Sequence, residues 1–286
     1  MKLKYILRNS LVSALGTGNF TVLRFLLTHG YWGKFVNPIS FNEKIQNRKL
    51  YEDPHMYARL VDKYHVREYV SSCIGEKYLI PLLARFEILE NKSFDIIPDE
   101  CVIKTSNGGG GVNVKIFNKK FNEDFSAIAN NFNTALKDKI GEKLGERFYD
   151  ILEPSILVES KISNLDRTPL LDYKFHVFNS GEIFLQINSN YGKKNETKTL
   201  YSLEGVKLSM QFSGYNLGPD IVNLPDNFDL MLDIASKLGK PFSYVRVDLY
   251  NVDGKVYFGE LTFCPASGWD KFVHRKDDFL VGSWWL

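Results

Sequence analysis

VRVDLYNVDGKVYFGELTFCPASG, residues 245–268, decides the reading of this chain. SYVRVDLY and VYFGELTF both alternate with period two, and NVDGK between them carries Asp-Gly turn chemistry, so the stretch reads as a β-hairpin. An odd loop, residues 253–255, sets Asp248 opposite Glu260 and Arg246 opposite Thr262. These four then share one face, while Val245, Val247, Leu249, Leu261 and Phe263 fill the other. A two-residue Asp-Gly turn would instead send Asp248 and Glu260 to opposite faces, so the odd loop is expected because it keeps the apolar face clean. Two carboxylates roughly 5 Å apart on a half-buried face repel strongly. Either one takes up a proton or a cation sits between them, and hard oxygen ligands suit Mg²⁺ carrying nucleotide phosphates. Taken alone, the hairpin reads more readily as a surface turn in which Arg246 pairs with Asp248 or Glu260.

A second motif, CVIKTSNGGGGVNVKIF at residues 101–117, shifts that balance. A strand-like run ending near Lys104 leads into Asn107 and then Gly108, Gly109, Gly110 and Gly111, and a second alternating run follows. Four consecutive glycines carry a large ordering entropy and suit a backbone that lies close to a ligand or flexes. Their N–H groups form an anion-binding concavity, and Lys104 adds a point charge for a phosphate. The pattern is neither a P-loop nor a dinucleotide fingerprint, because no GxxxxGK[ST] or GxGxxG opens a helix here. ILVESKI (156–162) interrupts an apolar run with Glu159, and LLDYKFHVF (170–178) carries Asp172, Lys174 and His176 on one face. Each alone is a half-exposed strand; in a nucleotide site, the first offers backbone groups to an adenine edge.

In this order the pieces resemble the ATP-grasp superfamily, and within it the TupA-like family of polysaccharide biosynthesis. SFNEKIQNRKLYED (40–53), DKYHVREYVSSCIGEKYLIPLL (62–83) and YDILEPSILVES (149–160) extend the match over most of residues 38–272. The resemblance implies an α+β ATP-grasp fold with a mobile glycine-loop subdomain and a largely helical N-terminal region. It divides the chain into residues 1–98, a lid subdomain at 99–160 and a catalytic subdomain at 161–286.

The resemblance also implies roles. Lys63 and Lys104 contact ATP phosphates, Asn107 and the four glycines fold over them, Glu159 sits at the adenine end and Asp172 near the ribose. Asp248 and Glu260 hold one or two Mg²⁺ ions, with Thr262 where the superfamily pattern has Asn. Arg246 and Lys174 serve the transferring phosphoryl group, and Pro265, Ser267 and Gly268 border the acceptor. The implied reaction is carboxylate–amine ligation through an acyl phosphate, on a uronic acid of a capsular or cell-wall polymer. The alternatives are an ATP-dependent kinase of a glycan hydroxyl and a non-ligase, glycosyltransferase-like protein that binds glycans or sugar nucleotides.

Composition fits this reading. The 286 residues suffice for a sizeable core and one or two domains. A net charge of +2 gives no mandate for nucleic acid. Three scattered cysteines form neither a disulfide framework nor a zinc pattern and suit a reducing cytoplasm. No run reaches the roughly 18 apolar residues of a membrane span. Leu3, Ile6, Leu7, Leu11 and Leu15 share a helical face that packs on the domain or, as the alternative, touches the inner membrane surface. A helical pattern runs from Glu123 to Asp150, with Gly141 and Gly145 as its breakpoints. The polar stretch 190–201, with Lys193, Lys194 and Lys198, reads as a solvated loop or a lid.

Overall fold

The N-terminal quarter is helical: α1 (Lys2–His29), kinked at Gly16 where φ is 74°, α2 (Phe41–Tyr51), α3 (His55–Val61) and α4 (Val66–Ile74). The structure is a computed structural model that describes residues 2–109, 111–121, 124–189 and 195–286, with the backbone alone for residues 2–11. Ser40 caps α2 through a reciprocal capping box. Its hydroxyl accepts from Glu43 N at 3.2 Å, and the Glu43 carboxylate accepts from Ser40 N at 3.0 Å. Asp62 Oδ1 accepts from Tyr64 N and His65 N to launch α4, which stops at Gly75 with φ 96°. The apolar face expected on the first helix falls largely on side chains outside the described residues; Leu15 is exposed. No described helix is long and apolar enough to cross a membrane.

Two antiparallel sheets follow. Strands β1 (Leu82–Phe86), β2 (Glu100–Thr105), β3 (Val114–Asn118) and β4 (Ile156–Glu159) make a small sheet in the order β1-β4-β2-β3. Strands β5 (Asp172–Phe178), β6 (Ile183–Ser189), β7 (Thr197–Tyr201), β8 (Tyr244–Val252) and β9 (Lys255–Thr262) make a larger one in the order β7-β6-β5-β8-β9. Each sheet has its own core. Helix α5 (Phe125–Ala135) sets Ile128 and Phe132 against Cys101, Ile103, Phe117, Ile156 and Val158 of the small sheet. Helix α7 (Phe228–Gly239) sets Met231, Ile234, Ala235 and Leu238 against Phe175, Val177, Val245 and Val247 of the large one. Each large aliphatic side chain buried there contributes about 1.5–3 kcal/mol.

The helical pattern over 123–150 divides at Gly145, one of its two expected breakpoints, and also after Ala135, where no break was expected. α5 ends at Ala135, a short α6 (Ile140–Leu144) stops at Gly145 with φ 73°, and a 3₁₀ turn spans Arg147–Asp150. Its apolar residues serve two cores: Ile128 and Phe132 pack in the small-sheet core, and Phe148 in the large-sheet core. The stretch expected to be a polar loop yields β7, with Lys198 buried in the sheet, while residues 190–194 lie outside the described residues. A last helix, α8 (Arg275–Trp284), packs on α2.

The hairpin reaches its register by another route than an odd loop. Its turn has two residues, Asp253 and Gly254, at φ 50° and 84°, and Val252 faces Lys255. The register then slips between Leu249↔Phe258 and Asp248↔Glu260, leaving Gly259 as the extra residue of a β-bulge. A Cβ on Gly259 would lie 3.1 Å from the Asp248 carbonyl oxygen and 3.1 Å from a Tyr250 ring carbon. The bulge returns Glu260 to the face of Asp248, and Thr262 to that of Arg246.

Candidate functional site

Because the large sheet keeps its apolar side for α7, its polar residues collect on the other face. Arg246 is the hub. Its Nε donates to Asp248 Oδ1 at 2.7 Å, and one terminal nitrogen donates to Asp248 Oδ2 at 2.7 Å, Glu260 Oε1 at 3.0 Å and Thr262 Oγ1 at 2.9 Å. Lys174 Nζ reaches Asp248 Oδ2 at 2.5 Å and also pairs with Asp172. Burial alone would push the Asp248 carboxyl up, yet Arg246 and Lys174 outweigh it and hold it below the usual carboxylate range. Burial likewise opposes the Lys174 ammonium, and Asp248 overcomes it, so the Lys174 pKa is raised. The face thus carries fixed, alternating charges in surroundings that screen them little.

The small sheet contributes the opposite wall. Lys104 Nζ lies 2.6 Å from Glu159 Oε2, and Arg67 lies 3.7 Å from Glu159 Oε1. Lys63 donates its backbone N–H to Ser106 O at 2.7 Å and its ammonium to Gly108 O, tying α4's approach to the glycine loop. Burial lowers the Lys63 pKa, with Glu260 acting against that effect. Gly108 and Gly111 have φ 78° and 69°, conformations that suit residues without Cβ. A Cβ on Gly109 would stand 4.0 Å from both Glu260 Oε2 and Tyr149 Oη, so the loop descends onto the carboxylate face. Asn107 is buried, with Oδ1 lacking a partner, and Gly110 lies outside the described residues.

Beyond Thr262 the chain enters a strained turn at Pro265–Gly268, where Ala266 and Ser267 have φ 47° and 55°. Helix α2 grips its carbonyl oxygens from behind. Arg48 donates to Phe263 O at 2.9 Å, Gln46 to Ser267 O at 2.9 Å, Lys49 to Ser267 O at 3.1 Å and Asn42 to Asp270 O at 3.1 Å. Ser267 Oγ donates to the buried carboxylate of Glu146, which burial pushes up to about 7. Tyr149, one turn on, feels the charges of Glu146 and Glu260. Sequence reasoning missed Glu146, Tyr149 and the α2 side chains. The legible signal was in α2 itself, FNEKIQNRKLY, whose polar residues ring the helix although most are buried.

Asp248, Glu260 and Thr262 therefore share a face, and one guanidinium nitrogen bridges all three. Among the described residues, no group of three His, Cys, Asp or Glu side chains forms a preformed metal cage. The donor set still suits a hard cation that brings its own ligands. Carboxylate oxygens and a hydroxyl lie together, and Asp172 Oδ1 nearby is buried without a partner. Mg²⁺ takes one or two carboxylates and completes its shell with phosphate oxygens and water.

A family model described as TupA-like ATPgrasp matches residues 43–286. No curated protein sequence matches the chain. Among solved structures, a D-alanine–D-alanine ligase from Helicobacter pylori is similar at 14% identity and TM-score 0.43, over 78% of this chain and 59% of that one. A phosphoribosylamine–glycine ligase from Thermotoga maritima is similar at 13% identity and TM-score 0.41, over 78% and 55%. A D-Ala:D-Ser ligase from Enterococcus faecalis is similar at 11% identity and TM-score 0.40, over 73% and 54%. The matched part of this chain thus spans less than two thirds of each.

Proposed function

Because the chain belongs to the TupA-like ATP-grasp family, we propose that it joins a carboxylate to an amine with cleavage of ATP to ADP and phosphate. The observation that carries this reading is the ladder of Lys174, Asp248, Arg246, Glu260 and Thr262 across β5, β8 and β9, with the glycine loop descending onto it. A carboxylate oxygen attacks the γ-phosphorus, the acyl phosphate forms and ADP leaves. The amine nitrogen then attacks the carbonyl carbon, the bond to the phosphate oxygen breaks, phosphate departs with the electron pair, and the nitrogen releases a proton to the departing phosphate.

In this reading Lys63 and Lys104 hold phosphates, and residues 107–111 cover them. Glu159 borders the adenine and Asp172 the ribose. Arg246 and Lys174 stabilise negative charge on the phosphoryl group in transit, and Pro265, Ser267 and Gly268 border the acceptor. Mg²⁺, when bound, would be held by Asp248, Glu260 and Thr262 and would neutralise phosphate charge. Covering the site keeps water from the acyl phosphate. The acid we favour is a uronic acid, free or in a capsular or cell-wall glycan, with an amino acid or small amine as partner. Three free cysteines, Cys101 and Cys264 among them buried, support a reducing compartment.

The test is a screen of sugar acids and amines for ADP release that depends on both, followed by the product mass. An amide plus free phosphate is expected. A phosphorylated product without free phosphate would replace the ligase with a glycan kinase. ADP release that no acid or amine stimulates would reject both.

A further inference from the structure

The polar face of the large sheet continues past the groups assigned above. One cross-strand row runs Glu260, Asp248, Lys174, Gln186, and the next runs Tyr250, Asp172, Asn188, Lys198. With strands about 4.8 Å apart, Lys198 on β7 stands roughly 14 Å from β8 and 19 Å from β9. Phosphates over β8 and β9 leave the β6 and β7 end of these rows for another molecule.

That end is built. Tyr244 Oη donates to His176 Nδ1 at 2.9 Å, His176 Nε2 donates to Gln186 Oε1 at 3.2 Å, and Gln186 Nε2 donates to Asn188 Oδ1 at 2.8 Å. His176 is fully buried and neutral, so the relay has one direction and leaves the Asn188 amide NH₂ at its end. Beside it, Lys198 pairs with Asp270, and its ammonium lies 4.7 Å and 4.6 Å from the ring centres of Phe212 and Tyr215. Tyr215 Oη donates to Asp270 Oδ1 at 2.7 Å. Asp270 follows the strained turn and is fixed by Asn42 through its carbonyl oxygen. The cluster holds one cation, one anion, an amide and a phenol against aromatic faces. An anion would meet Asp270 and an ammonium would meet Lys198. A ring of hydroxyls, each both donor and acceptor, meets neither penalty.

Resting on the ligase reading, we propose that Asn188, Lys198, Tyr215 and Asp270 form a sugar subsite that reads the hydroxyls of the acid substrate. The probes are D-glucuronate and D-galacturonate, with glutarate as the acid lacking hydroxyls. They are titrated by calorimetry into the full chain saturated with Mg²⁺ and a non-hydrolysable ATP analogue. At least one uronate should bind more tightly than glutarate. Tyr215→Phe, at a partly exposed ring, should weaken that uronate roughly three- to tenfold, and Lys198→Met about tenfold or more. Nucleotide affinity should stay within about twofold, since neither residue reaches the phosphates. Uronate binding unchanged in both variants, or absent from nucleotide-loaded wild type, overturns the subsite and leaves the ligase reading standing. Tyr215→Phe decides the matter if Lys198→Met fails to fold. A wild-type protein that binds no nucleotide would reject the ligase reading, and the subsite with it.

Discussion

Arg246 touches Asp248, Glu260 and Thr262 at once, so a melt beside each turnover measurement is what separates chemistry from folding here. Glu260→Gln keeps the shape and the hydrogen bonds from Arg246 and Thr262 but removes the charge that would hold Mg²⁺. ADP release should fall at least about 100-fold, the scale of losing one preorganised electrostatic group, with the melting temperature nearly unchanged. Arg246→Ala should lose comparable turnover but also melt lower, because it strands Asp248 without its main partner. Near wild-type turnover in both would reduce the hairpin to a structural ion pair. Glu146 gives a pH signature. Its carboxyl is pushed from 4.5 up to about 7 by burial, so the folded chain holds a proton between those values that the unfolded chain has released. Stability from this group is therefore present at low pH and lost as pH rises through about 4.5 to 7, by on the order of 3 kcal/mol. Glu146→Gln should stabilise the protein relative to wild type at pH 8 and much less at pH 4. Parallel melts at both values would expose an error in the assignment.

At the scale of the element, the bulge in β9 does what a longer loop was expected to do. Gly259→Val would set a Cβ 3.1 Å from the Asp248 carbonyl oxygen, so the bulge must flatten or the strands part. We expect a loss of about 1–3 kcal/mol and a larger fall in turnover, because flattening turns Glu260 to the wrong face. A variant that melts lower yet keeps full turnover would show that the bulge does not set the face. The pairing partners were legible because alternation of Val247, Leu249 and Leu261 admits one clean apolar face. The route was not, because a lone glycine in a strand signals a bulge without locating the slip. Lys104, Glu159 and the glycine loop were legible for a similar reason, since charge and glycine are costly inside strands. Glu146 and Tyr149 were hidden because the 123–150 run has helical spacing throughout. Gly145 marks one of its breaks, and the two separate cores that the run serves account for the other.

At the scale of the molecule, the seam between those cores decides how a nucleotide gets in. Lys63, Arg67, Leu79, Ile80, Lys104, Glu159, Phe258 and Gly259 line a pocket of only about 10 Å³, room for a single water. Phe258 and Gly259 belong to the large sheet and Lys104 and Glu159 to the small one, so, on the proposal that adenine lies beside Glu159, the base enters only if the sheets part. A ligand that then touches both couples the two cores and stabilises the folded chain by mass action. Mg-ATP at 100 times its Kd should add about 2.7 kcal/mol, a rise of roughly 4–5 °C in melting temperature for a chain of this size. Lys104→Ala removes a phosphate partner and also leaves Glu159 without the ammonium 2.6 Å away, so its ligand-free melt should drop as well. The discriminating quantity is the ATP concentration that raises the melting temperature by a fixed amount above each protein's own ligand-free value. It should rise at least tenfold, the effect of one charge-assisted hydrogen bond of about 1.5–3 kcal/mol. Adenosine, which has no phosphate, should shift wild type and variant alike. If the same ATP concentration gives the same rise in both proteins, Lys104 serves Glu159 alone and the phosphates lie elsewhere along the seam.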